Sequence, residues 1–341
     1  MLHNDAPLAV AKPPIIDQFN RIPKKLRLSV TDRCNMHCVY CMPKEGISLY
    51  PKNEILSYEE IQRLATIFAG LGVEKLRLTG GEPLVRPDIE KLIFALSNIS
   101  GIKTLGLTTN GLLLSEKASQ LKAAGLQSIN LSIDTLNSDK FKSITGIDGL
   151  SQVLLSLQVA RDEGFEIKVN TVIIRGQNDD ELVDFAKFAI DQRCPVRFIE
   201  FMPLDGSHIW NRSLVVTKEE MIQRLNKSGF VLLSQNNPLS DPARLYSIQG
   251  HEGTLGFIPS ISEPFCGACD RIRLTSDGKF LTCIFERPHN DVRNLLRSGK
   301  SDKEIAAYLI KCYQNKPQGL ISLLKDKTLR SGLNLMNTIG G

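Results

Sequence analysis

Three cysteines within eight residues, Cys34, Cys38 and Cys41, constrain this chain more than any other feature. Their spacing is C-x3-C-x2-C, and they follow directly on a strand-like run at 26–30. Thiolates crowded so tightly point to a metal site rather than a disulfide framework. Zinc motifs mostly pair C-x2-C with a second local pair, and this loop has no such partner. A cubane [4Fe-4S] cluster normally takes four cysteines, so a local trio leaves one iron open to a small molecule. A second trio lies far along the chain, Cys266 and Cys269 as C-x2-C with Cys283 beyond a hairpin pattern at 271–283 turned by Asp277-Gly278. A zinc knuckle completed by His251 or His289 is the alternative there. Cys194 and Cys312 read as ordinary buried or half-buried thiols.

The chain of 341 residues is 42% hydrophobic, enough for one large α/β domain and an appendage. No apolar run reaches the roughly 18 residues of a membrane span, and the N-terminus lacks a signal-peptide core. A cytoplasmic location without membrane contact is expected. Lys and Arg number 42 against 37 Asp and Glu, an excess too small for a protein that coats nucleic acid. Eight cysteines in such a chain suit ligands kept reduced.

Residues 1–24 hold four prolines without apolar periodicity and read as a mobile or peripheral arm. From residue 26 a β/α repeat begins. Strand patterns near 75–79, 104–108, 128–133, 167–174 and 196–201 alternate with helix patterns from Ser57 (a capping box with Glu60), then at about 87–98, 115–124, 149–163 and 179–192. Six units at parallel βαβ spacing give the expected fold class, α/β, a partial (β/α)6 TIM-like barrel. The expected division is an arm 1–24, a barrel 25–215 and an α+β extension 216–341, with a helix from Thr217 and two more at about 289–298 and 302–315.

Strand parity describes the lumen. Lys75, Arg77 and Thr79 share one face, opposite Leu76 and Leu78, and Ser128, Asn130, Ser132 and Asp134 oppose Ile129, Leu131 and Ile133. The apolar face must pack on the helices, which leaves a polar, partly cationic interior. Cations there are costly without anions, and Arg forks suit phosphate oxygens.

The cysteine loop, followed after the next strand by Thr79-Gly80-Gly81-Glu82-Pro83, resembles the radical S-adenosylmethionine (SAM) superfamily. Adding the second trio, Thr108-Thr109-Asn110-Gly111, Phe198-Ile199-Glu200-Phe201-Met202, Arg271-Ile272-Arg273-Leu274 and the terminal Gly340-Gly341, the chain is similar to the GTP 3',8-cyclase family of molybdenum cofactor biosynthesis, from about residue 26 to the C-terminus. That resemblance implies a lyase with two [4Fe-4S] clusters, one on Cys34, Cys38 and Cys41 cleaving SAM, and one in the extension on Cys266, Cys269 and Cys283 holding guanine. It implies SAM contacts at Tyr40, Gly81, Ser132 and Met202. It further implies GTP contacts at Arg27, Arg77, Thr108 and Lys168, with Lys75, Arg197, Arg271 and Arg273 as further cations, the last two also catalytic. The 5'-deoxyadenosyl radical would take hydrogen from C3' of GTP, and the C3' radical would attack C8. The implied partners are an electron donor such as flavodoxin or ferredoxin, cyclic pyranopterin monophosphate synthase downstream, and a second copy in a homodimer; the Gly-Gly tail would reach into the active site. A two-cluster radical SAM peptide or protein maturase is the alternative enzyme, though maturases usually carry a larger auxiliary cysteine set. A zinc-stabilised nucleic-acid-binding module is the alternative outside enzymes; it would need a basic surface patch, whereas these cations alternate with apolar residues.

Overall fold

The computed structural model of the chain describes residues 15–42, 46, 48–204, 206, 208–325 and 336–339. Six strands form where the period-2 pattern places them: β1 (Lys25–Ser29), β2 (Lys75–Thr79), β3 (Thr104–Thr109), β4 (Ser128–Ser132), β5 (Glu166–Ile173) and β6 (Val196–Glu200). All pair in parallel in chain order. Between them run α1 (Tyr58–Gly70), α2 (Ile89–Ser97), α3 (Leu114–Ala123), α4 (Ser138–Thr145), α5 (Leu150–Asp162) and α6 (Leu182–Asp191). The Ser57–Glu60 capping box starts α1 as its sequence requires. Leu26, Leu28, Leu76, Leu78, Leu105, Leu107, Ile129 and Leu131 are all buried in one apolar core, which fixes the other strand face toward the lumen. Among the described residues no helix is long and apolar enough to cross a membrane.

After α7 (Lys218–Lys227) come β7 (Leu232–Ser234), β8 (Arg244–Ile248), β9 (Thr254–Ile258), β10 (Arg271–Leu274), β11 (Lys279–Leu281) and β12 (Asn290–Asp291). The hairpin expected around Asp277-Gly278 is β10–β11, antiparallel. Yet the extension is not a separate appendage. Strand β10 pairs in parallel with β1, and β9 in parallel with β6, so the chain's last third adds a parallel strand to each edge of the six. Their alternation explains it: Ile272 and Leu274 enter the helix-side core beside Leu26 and Leu28, while Arg271 and Arg273 continue the polar face. The sheet order is β12-β11-β10-β1-β2-β3-β4-β5-β6-β9-β8-β7, an open barrel in which β9 and β10 do not pair.

Helices α8 (Val292–Arg297) and α9 (Asp302–Gln314) match the two expected, and α10 (Leu320–Lys325) and α11 (Met336–Ile339) follow. Short α4 was not expected either. The Gly340-Gly341 tail and residues 1–14 lie outside the described residues. Residues 15–24, expected as part of a mobile or peripheral arm, lie at the surface with Ile16 and Phe19 exposed, yet Ile15, Asp17 and Arg21 are buried and anchor them. Asp17 and Arg21 form a buried ion pair of 2.6 Å, and Arg21 donates to the carbonyls of Cys266 (3.0 Å) and Pro317 (2.7 Å). Removing one partner of a buried pair leaves the other charge uncompensated. Arg21→Ala is therefore expected to cost about 3–5 kcal/mol, measured as a lower denaturation midpoint against wild type.

Candidate functional site at the mouth of the barrel

The first cysteine loop leaves the C-terminal end of β1 and is pinned on both sides. Its N–H groups at His37 and Val39 donate to the Thr145 and Ile144 carbonyls at the end of α4, each at 2.9 Å. On the other side Gly81 donates to Thr31 O and Glu82 to Arg33 O, both at 2.8 Å. A Cβ on Gly81 would stand 2.3 Å from Arg33 O, and one on Gly80, at φ +151°, 2.5 Å from Thr31 O. Only glycine allows the two loops to meet backbone to backbone.

Glu82 is the keystone behind this contact. Fully buried, it accepts from Leu84 N–H (3.0 Å), the Thr109 hydroxyl (2.7 Å) and Asn110 N–H (2.7 Å). Burial pushes its carboxyl up to about 7, against these three donors, which pull it down. Asn110, so placed, donates to Asn35 Oδ1 at 2.8 Å and lies 3.9 Å from Cys34 Sγ, which also receives Met36 N–H at 3.4 Å. Tyr40 donates to Asp134 at 2.5 Å, and Asp134 accepts Val172 N–H at 2.8 Å; burial raises this carboxyl to about 6. Burial likewise lifts the free thiols of Cys34 to about 11 and Cys41 to about 12. From the far end of the chain, Asn337 in α11 donates to Asp32 O at 3.1 Å.

The second trio is assembled differently. Cys266 opens a 3-10 turn, Cys269 precedes β10 and Cys283 follows β11, so the hairpin returns the chain to its start. Gly319 comes so close that a Cβ there would stand 2.9 Å from Cys266 Sγ and 3.9 Å from Cys283 Sγ. Lys316, itself buried, places Nζ 2.9 Å from Arg271 O, 3.2 Å from Cys269 O and 3.8 Å from Cys269 Sγ. Burial raises Cys283 to about 11. It also opposes ionisation of Cys269, but Arg271 and Lys316 outweigh it and bring that thiol to about 7.

Both trios border one cavity of about 320 Å³. Its wall also carries Tyr40, Gly81, Ser132, Met202, Arg27, Thr108, Arg197, Arg271 and Arg273, so the structure gathers most of the residues singled out from sequence. Lys75, Arg77 and Lys168 are not on that wall. Arg77 sits in register with Arg27, inside the barrel, donating to Leu107 O (3.0 Å) and the Ser128 hydroxyl (3.3 Å). Lys75 is at the N-terminal end of β2, and Lys168 on β5 pairs with Glu166. Burial lowers the pKa of Arg27 well below normal, with Arg273, Arg271 and Arg77 adding repulsion, and lowers Arg77 and Arg273 to about 10. Among the described residues, Arg197 Nε, Arg271 Nη2 and Asn170 Oδ1 are buried without a hydrogen-bond partner. The two unpartnered guanidinium nitrogens call for an anion from outside the chain, and the Asn170 oxygen for a donor.

These observations fit two iron–sulfur clusters. Each trio supplies three thiols in no disulfide, the Gly319 cradle keeps space at the second, and each leaves a fourth iron position for a ligand in the cavity. Among the described residues no three His, Cys, Asp or Glu side chains gather as they would around a single ion. Sequence reasoning did not single out Asn110 as a neighbour of Cys34, nor Asp134 as the acceptor of Tyr40, nor Lys316 and Gly319 at all. The motif 108–111 and the parity of β4 carried the first two; nothing local marked the others.

Barrel and thiol trios together define a radical SAM protein, and the Radical SAM superfamily model matches residues 28–189. The Molybdenum Cofactor Synthesis C model matches residues 194–321. The chain is 42% identical over 327 residues to the GTP 3',8-cyclase of Thermodesulfovibrio yellowstonii, covering 95% of this chain and 99% of that one. It is 43% identical over 316 residues to the mitochondrial GTP 3',8-cyclase of Arabidopsis thaliana, covering 91% and 80%. Streptococcus suis SuiB bound to S-adenosylmethionine shares the fold, at TM-score 0.57 and 16% identity over 93% of this chain and 75% of that one. The chain belongs to the GTP 3',8-cyclase family.

The Glu82 carboxyl gives a pH signature. With its folded pKa raised from 4.5 to about 7, the native state holds a proton that the unfolded state loses between those values, so its contribution to stability is full below pH 4.5 and is lost as pH rises toward 7. The stability of wild type relative to Glu82→Gln should fall across that window by on the order of 3 kcal/mol, read from denaturant midpoints at pH 4.5 and 7. A constant difference would show that Glu82 is ionised throughout.

Proposed function

We propose that this chain cyclises GTP to (8S)-3',8-cyclo-7,8-dihydroguanosine 5'-triphosphate, as a radical SAM lyase at the first step of molybdenum cofactor biosynthesis. The carrying observation is the pair of thiol trios facing one cavity with a cationic wall. When bound at the N-terminal [4Fe-4S] cluster, SAM, given one electron, would part into methionine and a 5'-deoxyadenosyl group able to take hydrogen from C3' of GTP; C3' would then bond to guanine C8 as the C8=N7 double bond opens, with a further electron and a proton at N7 completing the product.

The residues divide the remaining work. Cys34, Cys38 and Cys41 hold the N-terminal cluster, and Cys266, Cys269 and Cys283 hold the second beside the guanine. The Gly81 backbone, Tyr40, Ser132 and Met202 contact SAM at the β-strand ends. Arg27, Arg197, Arg271, Arg273 and Thr108 face the nucleotide, with Arg271 and Arg273 closest in sequence to the second trio and placed to act on the reacting base. Arg77, Lys75 and Lys168 extend the positive field toward the barrel floor, where a triphosphate tail would run. Orientation matters here because the C3' hydrogen must lie close to the abstracting carbon. The same reading includes a low-potential donor such as flavodoxin or ferredoxin, cyclic pyranopterin monophosphate synthase as consumer of the product, and a homodimeric assembly.

Two experiments test the assignment. Cys38→Ser should abolish SAM cleavage while keeping the C-terminal cluster, and Cys269→Ser should keep uncoupled 5'-deoxyadenosine release without cyclised product. Iron content and electron paramagnetic resonance of anaerobically prepared protein check both; a variant that lost both clusters, or turned over normally, would refute the division. For the cations, Arg197→Ala should weaken GTP binding about ten-fold or more while leaving SAM binding intact, since a charge-assisted hydrogen bond contributes about 1.5–3 kcal/mol. Calorimetric titration with GTP and guanosine decides it. Equal affinity of the wild-type protein for the two would remove the phosphate role of the wall.

A further inference from the structure

We infer that Lys316, beside Arg271, is a resident counter-ion of the C-terminal cluster, a positioning residue that raises the reduction potential of that cluster through Cys269. The inference rests on the reading that Cys266, Cys269 and Cys283 hold an iron–sulfur cluster. Lysine is almost never fully buried unless paired, yet Lys316 is only 1% exposed. Its ammonium has three donor hydrogens, and its three neighbours within reach are Arg271 O, Cys269 O and Cys269 Sγ. No ion pair with a carboxylate joins Lys316 among the described residues, so within its hydrogen-bond reach the Cys269 sulfur is the group that can carry a full negative charge, with Cys283 and Asp17 acting from further off.

The placement is built, not incidental. Lys316 N–H closes the end of α9 by donating to Tyr313 O at 2.9 Å, and the ammonium stands 5.2 Å from the Tyr313 ring. The carbonyls of Lys316 and Pro317 are held by Arg21, which also holds Cys266 O. The segment that delivers the charge to Cys269 therefore also delivers the Gly319 clearance beside Cys266. Among the described residues no cation is found equivalently placed at the N-terminal trio: Cys34 receives neutral N–H groups from Met36 and Asn110, and the acids Glu82 and Asp134 lie nearby. Hydrogen bonds to sulfur and local charge set the potentials of such clusters. A fixed positive charge favours the reduced form, which carries one more electron.

The test is a potentiometric titration followed by electron paramagnetic resonance on the full chain with both clusters, repeated in the Cys38→Ser chain, where the C-terminal cluster is the sole signal. Lys316→Met should lower the reduced-to-oxidised ratio of that cluster at the wild-type midpoint at least ten-fold, a shift of about 59 mV for one electron. Lys316→Arg should restore most of it, and the N-terminal midpoint should not move. An unchanged C-terminal midpoint in Lys316→Met, or an equal fall at both clusters, overturns the inference. If Lys316→Met loses the C-terminal cluster, Lys316→Gln is titrated by the same criterion. Loss of the cluster from the Met, Gln and Arg variants alike would make the residue purely structural and also overturn it, whereas retention in Arg alone supports it. Wild-type protein with iron for only one cluster would defeat the underlying reading instead, a result separate from these.

Discussion

Positive charge turned inward on parallel strands is the constraint around which the molecule is arranged. Strand register places Arg273, Arg27 and Arg77 side by side on β10, β1 and β2, where each repels the next and burial penalises all three. The barrel strands tolerate this because their opposite face is largely apolar and packed into the core. Gly106, facing Arg77 on β3, leaves room for the guanidinium; a Cβ there would stand 2.8 Å from it. The repulsion is held ready for an anion, so the chain meets the electrostatic cost of the site in folding rather than at the moment of binding.

A second device keeps the mouth of the barrel in shape. Three buried glutamates staple loops by accepting from backbone N–H groups. Glu82 ties the turn after β2 to the loop after β3. Glu181 accepts from Thr135 and Leu136 beyond β4, and Glu200 accepts from Lys218, Ile261 and Ser262, joining the end of β6 to α7 and to the segment after β9. Loops usually gain rigidity from packing. Here they gain it from carboxylates whose acceptor capacity is spent on neighbours, which leaves the cavity's own polar groups free for ligands.

The six barrel strands were legible because each alternates cleanly, and their bounds fall within about two residues of the pattern. The thiol trios and the motif at 79–83 were legible because chemistry fixes their spacing. The parallel pairing of β9 and β10 was not, since a hairpin pattern such as 271–283 says nothing of which distant edge its first strand will join. The anchoring of residues 15–24 was not legible for a related reason: prolines mark irregular backbone, but irregular backbone can still be tied down when a buried Asp17–Arg21 pair anchors it. Lys316 carried no local signal, because a lysine after a helix is ordinarily a solvated end.

The bond between Arg21 and the Cys266 carbonyl joins residues 245 positions apart, and the β1–β10 ladder beside it spans a similar stretch. During synthesis at about 5–20 residues per second, the first strand waits on the order of 10–50 s for its neighbour to leave the ribosome. Until then β1 offers a naked edge, and the cationic band has no complete wall. The N-terminal trio at 34–41 is thus made long before the strand that completes the wall beside it.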